Sequence, residues 1–233
     1  VALRAGLPLS VAGQTVSRFC ASGLQAIASA AGQIVANGSQ ALIAGGVENM
    51  SRAPYVLAKA EAAFANNQTL EDTTLGWRFV NPSMRDLYGV DPMAQTAENL
   101  AREHGISRAD QDAYALRSQQ RAAHAIAGGW LAPELLALPT VAGGAAPLAQ
   151  DEQPRSDTTL AKLAALQPIL GEGTSITAGN SSGINDGACA LLLASAAAAQ
   201  CFGLAPRARI VAMATAGVAP RIMGMGPAPA SRK

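Results

Sequence analysis

The stretch Val16-Ser17-Arg18-Phe19-Cys20-Ala21-Ser22-Gly23-Leu24-Gln25 sets the organisation of the chain. A strand-like run at 14–19 leads to Cys20, and an Ala-rich helical pattern follows over 21–37. A thiol at the start of a helix faces unpaired backbone N–H groups and the positive end of the helix dipole, which favour the thiolate. Because the next residues are small, a substrate carbonyl could reach the sulfur, and the amide of Cys20 could help to form an oxyanion hole. The pattern predicts a nucleophilic Cys20, although free cysteines are more often buried and inert.

A second apolar stretch completes the first structural unit that the sequence predicts. Residues 41–47, Ala-Leu-Ile-Ala-Gly-Gly-Val, form a continuous apolar run bounded by glycine, which is typical of a buried parallel strand. Asn37-Gly38 is expected to end the preceding helix as a C-cap. Strand, helix and strand within about fifty residues predict a βαβ unit.

The rest of the chain alternates between irregular and regular segments. We expect an irregular excursion at 51–92, and a strand followed by a Gly/Ala/Pro loop at 130–150. Ser107 and Asp110 fit the N-cap and first-turn positions of a helix that Gly128-Gly129 would end. The small residues of 174–183 would let the backbone approach a ligand closely. Further helices are predicted at 95–103, 107–127, 160–166 and 195–203, and further buried strands at 189–194 and 209–214.

Composition excludes several classes of protein. With 233 residues, 49% hydrophobic and only 14% charged, the chain can bury a core and is not disordered. A net charge of +1 argues against a general nucleic-acid-binding surface. Its three cysteines include no Cys-x-x-Cys pair, which argues against zinc and a disulfide framework and favours a cytoplasmic location. No apolar run is long enough to span a membrane. The opening Val1-Ala2-Leu3-Arg4 does not resemble a signal peptide. Because the chain lacks an initiator Met and opens in mid-pattern, we expect a fragment.

Six linked motifs, in this order along the chain, resemble those of the thiolases. They are Phe19-Cys20-Ala21-Ser22-Gly23, Gly45-Gly46-Val47-Glu48-Asn49-Met50, Met93-Ala94-Gln95-Thr96-Ala97-Glu98-Asn99, Ser107-Arg108-Ala109-Asp110-Gln111-Asp112, Thr177-Ala178-Gly179-Asn180-Ser181-Ser182-Gly183 and Met223-Gly224-Met225-Gly226-Pro227. A narrower resemblance, to the beta-ketoadipyl-CoA thiolases of aromatic catabolism, rests on Ala60-Glu61-Ala62-Ala63-Phe64, on 72–82 and on Tyr88-Gly89-Val90-Asp91.

The resemblance implies an α/β fold with thiolase-like αβα layers. On that template the chain is an incomplete N-terminal half with an inserted loop domain. Residues 1–50 and 183–206 would form the partial N-terminal half, residues 51–182 the CoA-binding loop domain, and residues 207–233 the truncated start of the C-terminal half. Thiolases are usually dimers or tetramers, so the resemblance implies a homo-oligomer.

The resemblance also implies the chemistry. A cysteine such as Cys20 attacks the keto carbon of a 3-oxoacyl-CoA, acetyl-CoA leaves, and free CoA then takes the acyl group from the sulfur. CoA is a substrate, and no cofactor, metal, nucleic acid or membrane is expected. The family's catalytic histidine and second cysteine are expected to lie outside this chain, since His104 and His124 fall on helices and have no Gly-His-Pro setting. Cys189 and Cys201 are expected to be structural. The fragment alone is therefore predicted to be inactive.

Contacts to CoA are carried over by position. Arg155 matches the residue that meets the adenine and phosphate end, and a guanidinium suits an anionic, aromatic partner. Ala178 and Ser182 match contacts to the pantetheine arm, Met93 matches a residue beside the thioester, and Leu166 completes the predicted CoA-binding set. Arg78 is a candidate partner for the distal carboxylate of a beta-ketoadipyl chain, from its type and location alone.

Three other functions remain open at this stage. An acetyl-CoA acetyltransferase that cleaves acetoacetyl-CoA would share the family motifs. A non-catalytic, thiolase-like protein could bind CoA esters or a partner subunit. A decarboxylating or ketoacyl synthase shares the fold and the cysteine nucleophile, but it lacks the long loop domain with its Thr-Ala-Glu-Asn sequence.

Overall fold

A computed structural model describes residues 1–139 and 147–233 of the chain. Short 3₁₀ turns lie at Met50–Arg52, Ala132–Glu134 and Pro220–Met225. In chain order the helices and strands are α1 (Ser22–Val35), β1 (Ala41–Asn49), β2 (Tyr55–Leu57), β3 (Leu70–Asp72), α2 (Pro82–Tyr88), α3 (Met93–Glu103), α4 (Arg108–Ala127), α5 (Leu160–Ala164), β4 (Asp186–Ala194), α6 (Ala196–Cys201) and α7 (Pro227–Ser231).

The chain divides into two compact units. The first contains residues 1–52 and 185–214, and the second contains residues 53–184 and 215–233. The assignment of thiolase domains to 1–50 with 183–206, to 51–182 and to 207–233 stays a prediction. Within the described residues, no helix combines the length and the apolar character needed to cross a membrane.

The first unit is built on the pairing of β1 with β4. The two strands run antiparallel, with Ala41 opposite Ala194 and Asn49 opposite Asp186. Helix α1 covers one face, where Ala30, Ala44 and Leu193 form a small buried core. Small side chains let the helix approach the strands closely, whereas the opposite face of the pair is largely exposed.

The predicted βαβ unit is wrong. Residues 14–19 form no strand, and β1 pairs with the distant β4 in antiparallel rather than parallel fashion. The predicted strand at 209–214 is also absent, because this segment makes no ladder with another strand. An apolar run shows that a strand is suited to burial, but it does not select the partner that supplies the ladder hydrogen bonds.

Local signals placed the end of α1 correctly. Asn37 adopts a left-handed conformation, with φ 57°, and its N–H donates to the carbonyl of Ile34 at 3.1 Å. The N–H of Gly38 donates to the carbonyl of Gln33 at 2.8 Å, which completes a Schellman motif. The C-cap predicted at Asn37-Gly38 is confirmed.

The second unit contains the longest helix, α4. Ser107 and Asp110 form a reciprocal capping box at its start, and Gly129 follows its end with φ 70°. The predicted helix at 107–127 is confirmed, and α3 begins two residues before its predicted start. The irregular excursion predicted at 51–92 also holds the short antiparallel pair β2–β3.

The remaining predicted segments are shorter than expected. Helix α5 ends at Ala164 and α6 at Cys201. In place of the strand predicted within 130–150, a 3₁₀ turn at Ala132–Glu134 and a single bridge between Leu138 and Leu148 are present in the described part. Residues 140–146 of that call lie outside the described residues.

Candidate active site

Cys20 lies in a tight turn directly before α1. The N–H of Ala21 donates to the carbonyl of Arg18 at 3.1 Å, and the N–H of Ser22 donates to that of Phe19 at 3.0 Å. The Ser22 hydroxyl closes the turn, because it accepts from the Arg18 N–H at 2.8 Å and donates to the Phe19 carbonyl at 2.6 Å. Phe19 adopts a positive φ of 49°, which costs a non-glycine residue about 1 kcal/mol. The turn therefore holds Cys20 in a defined position at some conformational cost.

The Cys20 side chain is exposed. It precedes the first helical residue by two positions, and in the described part of the chain no side chain caps the amides at the start of α1. The Arg18 guanidinium reaches past the turn and donates to Gln25 Oε1 at 2.9 Å, which anchors the turn to the helix. The predicted position of Cys20 at a helix start is confirmed, while the strand expected before it is replaced by extended chain and the turn.

In the second unit, Asn180 shapes the loop 174–183. Its Oδ1 accepts from the N–H of Thr177 at 2.8 Å, and its Nδ2 donates to the carbonyl of Ser175 at 3.0 Å. Thr177 is fully buried, and its hydroxyl accepts from the amides of Gly179 and Asn180. These bonds replace the ladder hydrogen bonds that an irregular loop lacks, so the loop can hold one conformation.

A buried acid on α4 supports this loop. Asp112 is 3% exposed, and its Oδ1 accepts from Asn180 Nδ2 at 3.1 Å. Arg108, one turn earlier on α4, donates from Nε to Asp112 Oδ2 at 2.8 Å. The same guanidinium donates to the carbonyls of Leu163 and Leu166 at 2.6 and 3.2 Å. The Arg108–Asp112–Asn180 network thus joins α4, α5 and the loop.

A second buried acid connects α3 to the loop. Glu98 Oε2 accepts from both the N–H and the hydroxyl of Ser175, at 2.9 and 2.8 Å. Gln111 on α4 donates to the same hydroxyl at 2.8 Å. Within residues 1–139 and 147–233, no buried side-chain nitrogen or oxygen lacks a hydrogen-bond partner. Networks that are satisfied in this way specify a single arrangement.

Two of the residues predicted to bind CoA come together at Gly179. A Cβ on Gly179 would lie 2.5 Å from Leu166 Cδ1 and 2.6 Å from Leu163 Cδ2, so only glycine permits this approach. Ala178, next to Gly179, is exposed, and so is Leu166. The structure therefore places an exposed stretch of loop directly against α5.

The segments of Arg155 and Ser182 are also neighbours. A Cβ on Gly183 would lie 2.8 Å from Gln153 Oε1, so the chain that follows Ser182 packs against the chain that precedes Arg155. The Arg155 N–H donates to Gln119 Oε1 on α4 at 2.8 Å. Both Arg155 and Ser182 are exposed.

Met93 is the first residue of α3 and is exposed. Its carbonyl accepts from the Thr96 hydroxyl at 2.8 Å. All five predicted CoA-binding residues therefore lie in the second unit, and Cys20 lies in the first. Their roles stay predictions.

The other candidate nucleophiles and bases have local explanations. His104 follows the end of α3 as its C-cap, and His124 makes an edge-to-face contact with Trp130 at 5.0 Å. Cys201 is the last residue of α6, and Gly203, which has a positive φ of 63°, follows the end of that helix. Cys189 and Cys201 are exposed in this chain, and the expectation that they are structural stays a prediction.

Comparison with known proteins identifies the family of the chain. Residues 1–197 match the family described as Thiolase, N-terminal domain. The chain belongs to the thiolase family. The resemblance predicted from the six motifs is confirmed.

Individual thiolases resemble the chain over its whole length. It is 57% identical over 233 residues to a beta-ketoadipyl-CoA thiolase of Pseudomonas aeruginosa, covering 99% of this chain and 58% of that protein. It is 53% identical to a 3-oxoadipyl-CoA/3-oxo-5,6-dehydrosuberyl-CoA thiolase of Escherichia coli, with the same coverage. The crystal structure of a Bacillus anthracis acetyl-CoA acetyltransferase matches with a TM-score of 0.86 and 41% identity, over 99% of this chain and 58% of that one. The α/β, thiolase-like fold predicted from the sequence is confirmed, and the chain spans about 58% of the length of these relatives.

Sequence reasoning assigned no role to four buried or partly buried polar residues of this thiolase chain. Glu98, Arg108, Asp112 and Asn180 all lie inside the quoted motifs, yet only the structure shows that they hold the loop. One local signal was available, because Arg108 and Asp112 have the four-residue spacing of a helical ion pair. Their burial depends on α5 and the loop, which come about fifty to seventy residues later.

Proposed function

We propose that this chain supplies the nucleophile and the CoA-ester-binding loops of a thiolase acting on a 3-oxoacyl-CoA in aromatic-compound degradation. The observation that carries the proposal is the exposed Cys20 held in the turn before α1. A thiol that is reachable, positioned and close to uncapped helix amides meets the main requirements of an acyl-transfer nucleophile.

The proposed reaction has two half-reactions. The Cys20 thiolate attacks the C3 keto carbon, the C2–C3 bond breaks, and the electron pair leaves with acetyl-CoA, which a general acid protonates. The shortened acyl group remains as a thioester on Sγ. The thiol of free CoA then attacks this thioester, and Cys20 is released as the thiolate. CoA is thus a substrate, and no separate cofactor is required.

The proposed substrate is beta-ketoadipyl-CoA, which would give succinyl-CoA and acetyl-CoA. Relatives named for this substrate are 53–57% identical to the chain, whereas the Bacillus anthracis acetyl-CoA acetyltransferase is 41% identical. The sequence identity therefore favours the longer, dicarboxylyl substrate over acetoacetyl-CoA.

The proposed CoA site lies in the second unit. Arg155 would meet the adenine and phosphate end, Ala178, Ser182 and Leu166 would line the pantetheine arm, and Met93 would lie beside the thioester. Support comes from the close contacts at Gly179 and Gly183, which bring three chain segments together while leaving these side chains exposed.

The test is an activity assay on the product of the complete reading frame that contains this chain. We expect consumption of beta-ketoadipyl-CoA to exceed that of acetoacetyl-CoA, and Cys20→Ser to abolish both. Cys189→Ser and Cys201→Ser are matched controls, because these thiols are also exposed and free, and they should retain activity. Full activity of Cys20→Ser would contradict the proposal, and CoA-ester binding without turnover would favour the non-catalytic alternative.

A homodimer or homotetramer in the cytoplasm is also proposed. Thiolases resembling this chain are usually oligomeric, and the three exposed free thiols suit a reducing compartment. Light scattering on the purified product of the complete reading frame should give two or four times the subunit mass. A monomeric mass at working concentration would contradict this part of the proposal.

A further inference from the structure

A small cleft in the second unit is lined by an arginine that uses only part of its hydrogen-bonding capacity. Its lining includes Trp77, Tyr88, Asp91, Thr96 and Arg221, and its volume of about 20 Å³ has room for a group little larger than a water molecule. One oxygen of a carboxylate is a group of this size. The aromatic residues Trp77 and Tyr88 lie in two of the three stretches that distinguish the narrower sequence resemblance.

Arg221 is anchored on one edge. Its Nε donates to Asp91 Oδ2 at 2.8 Å, and Asn99 Nδ2 donates both to that oxygen, at 2.8 Å, and to the Arg221 carbonyl, at 3.0 Å. The Arg221 and Asn99 side chains, as donors, hold the pKa of Asp91 below its ordinary value of 3.8. The Asp91 side chain is only 17% exposed, so a largely buried carboxylate holds the Nε side of the Arg221 guanidinium.

The other edge of the guanidinium is open. The Arg221 side chain is 60% exposed, and its terminal nitrogens have no hydrogen-bond partner among residues 1–139 and 147–233. Asp91 occupies only the Nε edge, so the terminal amino groups of Arg221, which lines the cleft, remain available as donors to a ligand. Such a planar pair of donors matches a carboxylate in a bidentate manner.

Thr96 relates the cleft to the proposed thioester position beside Met93. Thr96 lines the cleft, and its hydroxyl donates to the carbonyl of Met93, three residues earlier on α3. Three residues of an α-helix rise about 4.5 Å. Five C–C bonds separate the thioester carbon of a beta-ketoadipyl group from its distal carboxylate carbon, a span of about 6 Å when extended. An acyl chain of this length that starts beside Met93 can therefore extend past Thr96.

We propose that Arg221 binds the distal carboxylate of a 3-oxo-dicarboxylyl-CoA in this cleft, an inference that rests on the proposed thiolase function. Arg78, the candidate from sequence, instead donates to the carbonyl of Gly76 in its own loop at 3.2 Å. Arg78 is not among the residues that line the cleft. It therefore serves as the comparison residue.

The experiment compares three esters in the product of the complete reading frame. They are beta-ketoadipyl-CoA, 3-oxohexanoyl-CoA, which has the same chain length without the carboxylate, and acetoacetyl-CoA. For Arg221→Ala, kcat/KM with beta-ketoadipyl-CoA should fall ten- to hundredfold, the effect of losing a charge-assisted, bidentate contact. With the two uncharged esters it should change less than about twofold. Arg221→Lys keeps the charge without the bidentate donor geometry, so its kcat/KM with beta-ketoadipyl-CoA should lie between those of Arg221→Ala and the unmodified enzyme. Arg78→Ala should match the unmodified enzyme.

Each outcome decides between the two proposals. If the unmodified enzyme cleaves none of the esters, both the proposed function and this inference are overturned. If it cleaves beta-ketoadipyl-CoA and Arg221→Ala retains that activity, only the inference is overturned. An equal loss with all three esters would show a structural role for Arg221 and would also overturn it, as would a selective loss in Arg78→Ala alone.

Discussion

Replacement of Asp112 by alanine tests whether the buried network holds the loop 174–183. The substitution removes the acceptor shared by Arg108, at 2.8 Å, and Asn180, at 3.1 Å. Both donors bind the carboxylate, and a hydrogen bond to a charged group contributes about 1.5–3 kcal/mol. Breaking a fully buried pair costs about 3–5 kcal/mol. Because the Arg108 side chain is 25% exposed and can be partly hydrated, we expect about 3 kcal/mol.

The assay is urea unfolding of the chain, followed by circular dichroism. With an m-value of about 2–3 kcal/mol/M, typical of a chain of this size, the midpoint should fall by roughly 1 M. The control is Asp86→Ala, since Asp86 accepts from Arg85 at a similar 2.9 Å but both side chains are more than half exposed. An exposed pair of this kind contributes little, so the control should show no measurable shift.

Hydrogen exchange gives a second measurement at the loop itself. The backbone amide of Thr177 donates to Asn180 Oδ1. Loss of Asp112 removes one of the hydrogen-bond partners that hold the Asn180 side chain in place. Exchange at Thr177 should therefore accelerate in Asp112→Ala and remain unchanged in Asp86→Ala. Equal midpoint shifts in the two variants, or unaltered protection at Thr177, would refute the reasoning.

Three further predictions concern a strand glycine, an ion pair and a helix end. Gly45→Ala should destabilise the chain by about 1–3 kcal/mol, because its Cβ would lie 2.7 Å from a carbonyl oxygen of β4, whereas Gly46→Ala meets nothing within 4 Å; equal urea midpoints would contradict this. Arg221→Ala should raise the pKa of Asp91 towards 3.8 in an NMR titration. Because that pKa is lowered in the folded state, the stability that Asp91 contributes is present above pH 3.8 and is lost as the pH falls through the folded pKa. An unchanged titration midpoint of Asp91 in the variant would exclude the arginine as the cause of the lowered pKa. Asn37→Ala should cost about 1 kcal/mol in thermal or urea unfolding, since alanine pays to adopt φ 57°, and Asn37→Gly should cost nothing.

Features that depend on nearby residues could be predicted from the sequence alone. Ser107 and Asp110 marked the start of α4, and Asn37 marked the end of α1, because caps are satisfied within one turn of the chain. The six motifs also identified the family and drew attention to Cys20, whose position before a helix follows from the small residues that start α1.

Features that depend on a distant partner could be seen only in the folded structure. The apolar run of β1 was visible, but its antiparallel pairing with β4 requires residues about 140 positions further along. Likewise, nothing near Asp112 in sequence shows that Asn180 will meet it, or that Arg221 will rest on Asp91. Backbone propensities and caps act over a few residues, whereas strand pairing, burial of charge and the formation of a cleft depend on which surfaces meet once the chain has folded.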